Sequence, residues 1–108
     1  MSTPTPIAVQ RMIDATNAGD TEEFLNSFTP DAYVEDWGRD FTGRDEIASW
    51  NQTDNIGKQS HFEAKATTGT DPNYVVTLTV TGNGYNGTSD ITFEVDGEMI
   101  RRLIISAD

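Results

Sequence analysis

The sequence has no cysteine and a single histidine, His61. Disulfides, thiolate catalysis and cysteine-based zinc or iron–sulfur sites are excluded, and so is any site built from several histidines. No metal site and no cofactor are expected. Carboxylates can hold Ca²⁺ or Mg²⁺, but no EF-hand spacing is present. Positive charge is scarce: 7 Lys and Arg stand against 18 Asp and Glu, for a net charge of −11. Phosphates need a basic face, so neither nucleic acid nor an anionic membrane is an expected partner. No apolar run approaches the roughly 20 residues of a spanning helix. The first residues, "MSTPTPIAVQ", lack the basic-then-apolar order of a signal peptide. A cytoplasmic location is expected, which leaves the sequons at Asn51 and Asn86 without a glycosylation role.

What remains fits a single domain over residues 1–108, with 1–5 as a loose tail. Thr5-Pro6 predicts a helix start, and Ile7, Val9, Met12, Ile13 and Thr16 recur at helical spacing up to Gly19. Asp20 and Glu23 resemble a capping box for a short second helix carrying Phe24, Leu25 and Phe28, stopped by Pro30-Asp31. Ala32 to Asp36 predicts a short strand, and 38–43 a loop. A third helix opens at Thr42-Gly43 with acids in its first turn, and turns Ile47 and Trp50 inward. Beyond Ser60 the pattern is all strand. Phe62, Ala64 and Ala66 alternate with polar residues, then Tyr74, Val76, Leu78 and Val80, then Ile91, Phe93 and Val95. "TGNGYNG" is a hairpin turn; it lacks the lysine and following helix of a phosphate loop.

Segregated helices and a meander of strands define an α+β fold. Three helices on one face of a curved, mostly antiparallel sheet leave a conical cavity. The last strand, Met99 to Ser106, is apolar on both faces apart from Arg101 and Arg102. A covered outer sheet face follows, most simply a homodimer through that face.

Several stretches carry a family resemblance. "AVQRMIDATNAGD" (Ala8 to Asp20) resembles the first helix of bacterial ketosteroid isomerases, and "YVEDWG" their "TVEDPVG" strand end. "FTGRDEIASW" and "DGEMI" resemble the glycine-then-helix segment and the "DGKI" hairpin of the NTF2-like superfamily. Over nearly its whole length the chain resembles the SnoaL-like and ketosteroid-isomerase-like members of that superfamily. The resemblance implies an NTF2-like cone, and it puts Asp36 where ketosteroid isomerase keeps its general base. Period-two alternation then sends Val34 and Asp36 into the cavity and Glu35 out. Apolar neighbours such as Trp50 and Phe62 are expected to raise the Asp36 pKa. The plainer reading of Asp36, a loop-start aspartate bonded to nearby backbone N–H groups, stays open.

The same resemblance removes the two donors that hold the enolate in that isomerase. Met12 stands at the tyrosine's position. Ile91 stands at the second acid's, because alternation turns Asp90 outward. Each lost donor costs about 10²–10³ in rate, so efficient steroid isomerisation is not expected. Tyr74, Tyr33 and Tyr85 are candidate replacement hydroxyls, with Tyr74 foremost because it lies on the apolar face. A lone His61, expected on a polar face, argues against scytalone-dehydratase-like chemistry, which uses two histidines. The Asp-Arg-Asp set of epoxide-hydrolase-like members has no counterpart in the middle strands. Arg39 and Asp40 are expected as a solvated loop pair, and Trp37 as a rim residue, a lid or a dimer contact. The expected function is proton transfer by Asp36 on a small apolar carbonyl compound. Met12, Trp50, Phe62, Tyr74, Leu78, Ile91 and Phe93 are expected to shape its pocket. The alternative is a non-catalytic ligand-binding or accessory protein.

Overall fold

A computed structural model describes residues 3–106. The elements are α1 (Ile7–Ala18), α2 (Thr21–Asn26), β1 (Phe28–Asp36), β2 (Arg39–Thr42), α3 (Gly43–Asp54), a 3₁₀ turn (Ile56–Lys58), β3 (His61–Thr70), β4 (Asn73–Thr81), β5 (Gly87–Asp96) and β6 (Met99–Ile105). The strands form one sheet in the order β2-β1-β6-β5-β4-β3. Only β1 and β6 run parallel; every other neighbouring pair is antiparallel. This is the expected α+β architecture, a curved open sheet with helices on its concave side.

The helices form where amphipathic spacing and caps agree. In α1 the buried residues are Ala8, Val9, Met12, Ile13, Ala15 and Thr16. Ile7 is exposed instead, one position too early for that face. Pro6 is the N-cap and its ring has no polar atom to bond the free N–H groups; the Thr5 hydroxyl pairs with Thr67 on β3 at 2.9 Å. The Thr3 N–H also bonds Thr67, so the described part of the expected loose tail is tied to the sheet; residues 1–2 lie outside the described residues. Gly19 ends α1 in the left-handed conformation, φ 69°. Asp20 accepts from the Glu23 N–H at 3.1 Å. The Glu23 side chain turns to Arg11 at 2.9 Å rather than back to the cap, so only half the capping box forms.

Three strand expectations change. First, β1 starts at Phe28, not Ala32. Its pairing with β6 shifts register between Phe28 and Tyr33, and that irregularity accommodates Pro30, which has no N–H to give. Second, residues 39–42 are not loop but pair with β1 as a short strand. Third, β3 carries a bulge between Ala64 and Ala66. An extra residue inverts the alternation beyond it, so Ala66 is exposed and Thr67 is buried; Ala64, before the bulge, is exposed as well. Between sheet and helices lies one core, with Phe24, Phe28, Phe93, Met12, Ile47, Leu78 and Ile100 fully enclosed. Among the described residues no helix is long and apolar enough to cross a membrane.

Candidate active site

The cone is solid at one end and hollow at the other, and the strands show why. Along the inner face of β5, going toward its start, the side chains are Val95, Phe93, Ile91, Ser89 and Gly87. They shrink as the sheet approaches the β4–β5 turn. The space left is a cavity of about 450 Å³, within the ~300–1,000 Å³ range of small-molecule sites. Trp50, Phe62, Val80, Ile91 and Ile105 give it apolar walls, and Asp36, Arg39, Asp54, Lys58, Ser60, Tyr85 and Ser89 supply its polar groups.

Asp36 ends β1 at this wall. Val34 beside it is buried in the core, and Glu35, on the opposite side, accepts from the Tyr33 hydroxyl at 3.2 Å. The Asp36 side chain is 16% exposed. One oxygen, Oδ2, accepts from the Trp50 indole Nε1–H at 2.9 Å and from Arg39 at 2.8 Å. The other, Oδ1, accepts no hydrogen bond among the described residues. The surroundings are therefore not the purely apolar ones expected: an indole and a guanidinium hold one edge of the carboxylate. The backbone-bonding alternative for Asp36 has no counterpart in these contacts.

Arg39 is not a solvated partner of Asp40. It reaches across the β1–β2 turn to Asp36 and on to Asp54 of α3, at 3.2 Å, while Asp40 accepts from the Tyr33 hydroxyl at 2.6 Å. That bond and burial push the Tyr33 hydroxyl up to about 12. Burial pushes the Asp54 carboxyl up, but hydrogen bonds from Thr53 and Arg39, with the attraction of Arg39 and Lys58, outweigh it and hold the group below its ordinary value. Lys58 faces the same cavity and makes no ion pair among the described residues.

The expected base Asp36 and three of the seven expected pocket residues, Trp50, Phe62 and Ile91, meet at the cavity. Met12, Tyr74, Leu78 and Phe93 do not line it. Met12, Leu78 and Phe93 are fully buried in the core, Leu78 directly across from Ser89. Tyr74 pairs with Phe93, six residues or ~20 Å along β4 from Val80 at the cavity. Tyr85, not Tyr74, is the tyrosine at the cavity, with its hydroxyl 3.0 Å from Ser89. Asp90 does face outward, where Thr77 donates to it at 2.6 Å. His61 is exposed. Arg39, Asp54, Asn55, Lys58, Ser60 and Ser89 were not expected at the site. For Ser89 a signal existed, the falling side-chain size along β5; the others arrive through long-range packing. Among the described residues, no cluster of three or more His, Asp or Glu is placed to hold a metal.

A helix-covered cone with an acid at the strand end facing its hollow is the design of an NTF2-like cavity protein. The chain belongs to the SnoaL-like domain family, whose family model matches residues 9–103. Among solved structures, a Sinorhizobium meliloti protein named as a candidate polyketide cyclase is 28% identical. It superposes with a TM-score of 0.85, covering 94% of this chain and 95% of its own. Δ5-3-Ketosteroid isomerase from a Mycobacterium species is 20% identical, with a TM-score of 0.80 over 94% of this chain and 90% of its own. A Mycobacterium tuberculosis protein in complex with estradiol-17β-hemisuccinate is 16% identical, with a TM-score of 0.75 over 94% and 92%. At these identities the last two show the fold alone. No curated protein matches the sequence.

Proposed function

We propose that the cavity takes a small, mostly apolar carbonyl compound and that Asp36 exchanges a proton at the carbon beside the carbonyl. The observation that carries this reading is the half-used carboxylate. Trp50 and Arg39 tie Oδ2, which leaves Oδ1 as the unbonded edge of an acid at the wall of a largely apolar cavity. A base fixed in one orientation loses less freedom when it reacts. In the step, the α C–H bond breaks, an Oδ1–H bond forms, and the electron pair moves to the carbonyl oxygen as an enolate. Return of the proton to the same or a conjugated carbon completes exchange or isomerisation. Lys58 at the cavity, which makes no ion pair among the described residues, attracts the enolate. Met12 and Ile91 donate nothing, so turnover is slow. The likeness to proteins named for polyketide cyclisation and ketosteroid isomerisation, and to one with a bound steroid ester, supports an apolar ring compound. The reading includes a cytoplasmic protein with no resident cofactor. It also includes a homodimer over the outer sheet face, a polar joint given Thr77, Thr79, Thr88 and Asp90 there.

The test is α-proton exchange of 1-decalone in D₂O, followed by proton NMR. Wild type accelerates the loss of the α-proton signals. Asp36→Asn lowers that rate by about 10²–10⁴ and leaves the ketone affinity within about threefold, ~0.7 kcal/mol. Exchange at the wild-type rate in the variant removes Asp36 as the base. Binding without exchange in either protein makes this a non-catalytic ligand-binding protein.

A further inference from the structure

Three large hydrophobic side chains are strongly exposed among the described residues: Ile7 at 61%, Trp37 at 60% and Tyr85 at 48%. Two of the three, Trp37 and Tyr85, line the Asp36 cavity. The same two line an adjoining polar depression with Thr88, Ser89, Asp90 and Ser106. They therefore stand at the boundary between an apolar compartment and a polar one. Neither ring stacks on another aromatic ring among the described residues, whereas Trp50 packs near both Phe24 and Phe41.

Both rings are held in place by their turns, Trp37 at a cost to the backbone. Asp36 pairs with Arg39, so Trp37 and Gly38 are a two-residue hairpin loop. Their φ values are 51° and 84°. Positive φ at both loop residues marks a type I′ turn, where Asn-Gly is the favoured pair and a bulky first residue is an outlier. A tryptophan there runs against local preference, and its N–H is pinned to the Ile105 carbonyl at 2.9 Å. On the same cavity, Tyr85 lies over Gly87, where an added Cβ would come within 2.6 Å of the tyrosine oxygen. Asn86 braces that turn with bonds to Gly82 and Gly84, and the Asn83 N–H ties it to Lys58. Strain retained beside a cavity points to a role there.

We propose that Trp37 and Tyr85 are a specificity-determining aromatic pair that takes the flat, π-bearing part of a ligand whose apolar remainder fills the Asp36 cavity. The pair selects planar fused-ring or aryl carbonyl compounds over saturated ones of the same size. Rigid aromatic faces bind such rings with little loss of side-chain freedom. The proposal rests on the cavity being the ligand site, but not on Asp36 acting as a base.

The test compares 1-tetralone with 1-decalone, two bicyclic ketones that differ in one aromatic ring, by calorimetric titration. Wild type binds 1-tetralone about tenfold more tightly. Trp37→Asn creates the favoured Asn-Gly turn, so its Tm equals or exceeds that of wild type. It loses about tenfold in 1-tetralone affinity and under threefold for 1-decalone. Trp37→Phe keeps the preference. Equal affinities in wild type, no 1-tetralone binding to wild type, or an unchanged preference in Trp37→Asn would each overturn the proposal. So would a change only in oligomeric state on size exclusion, which would make Trp37 a subunit contact. If 1-tetralone binds with the stated preference but no α-proton exchange occurs, the base role fails and the aromatic pair stands.

Discussion

The two ends of the inner sheet face follow one rule of alternation and reach opposite results. At the far end Val95, Phe93 and Val76 meet Met12, Phe24 and Phe28 and close into solid core. At the mouth Ile91 gives way to Ser89 and to Gly87, which is covered by the half-exposed Tyr85 ring, and the cavity opens beside them. The far end is mostly packed apolar side chains, with side-chain bonds to backbone from Arg44 to the Phe28 carbonyl and from Ser27 to the Phe24 carbonyl. The mouth is held by directional contacts: Trp50 and Arg39 on Asp36, Arg39 on Asp54, Tyr85 on Ser89. The difference teaches that, in a cone of this kind, side-chain volume along a single strand decides where core ends and site begins.

The contrast breaks if truncation costs the same at both ends. Phe93→Ala removes a fully buried ring and is expected to cost about 3–5 kcal/mol in urea unfolding. Tyr85→Ala at the mouth is expected to cost under ~1 kcal/mol. Filling the hollow sharpens the contrast. Ser89→Leu puts a large side chain where β5 becomes small and is expected to weaken 1-decalone binding by roughly tenfold, ~1.4 kcal/mol. Its stability should stay within ~1 kcal/mol of wild type. The smallest effect concerns pH. The folded Asp54 carboxyl lies below its ordinary value, so it binds its proton less readily folded than unfolded. Its contribution to stability is therefore full above the unfolded value of ~3.9 and is lost as pH falls through the lower folded one. The advantage of wild type over Asp54→Asn should be constant above about pH 5, under ~1 kcal/mol in size, and shrink below about pH 4.

Most of the fold is legible in the residues. Helical spacing up to Gly19, the acids opening α3, and the β3–β6 meander need no long-range information. Alternation on β5 is enough to turn Asp90 outward and Ile91 inward. Other features escape such local reading. Pro30 hides the true start of β1, because a register shift against β6 absorbs it. The bulge between Ala64 and Ala66 leaves no mark in the pattern. The site is legible at Asp36, Trp50, Phe62 and Ile91. Met12, Tyr74, Leu78 and Phe93 are apolar and inward-facing like the cavity wall; distance along β4 separates Tyr74 from the cavity, whereas Leu78, paired with Ser89, and Met12 on α1 are covered by their neighbours. The second partner of Arg39 is equally invisible locally, since Asp54 is 15 residues away and arrives through the packing of α3.

The most direct measurement is a ¹⁵N-resolved NMR titration of the protein with 1-tetralone, reading every assigned amide and both tryptophan indole signals. The account predicts shifts at the Trp50 indole N–H, which bonds Asp36, and at the amides of Asp36, Ser60, Ser89 and Ile105, with Met12, Tyr74 and Phe93 unmoved. Shifts centred on Met12, Tyr74 and Phe93, or none at Trp50 and Asp36, would contradict it.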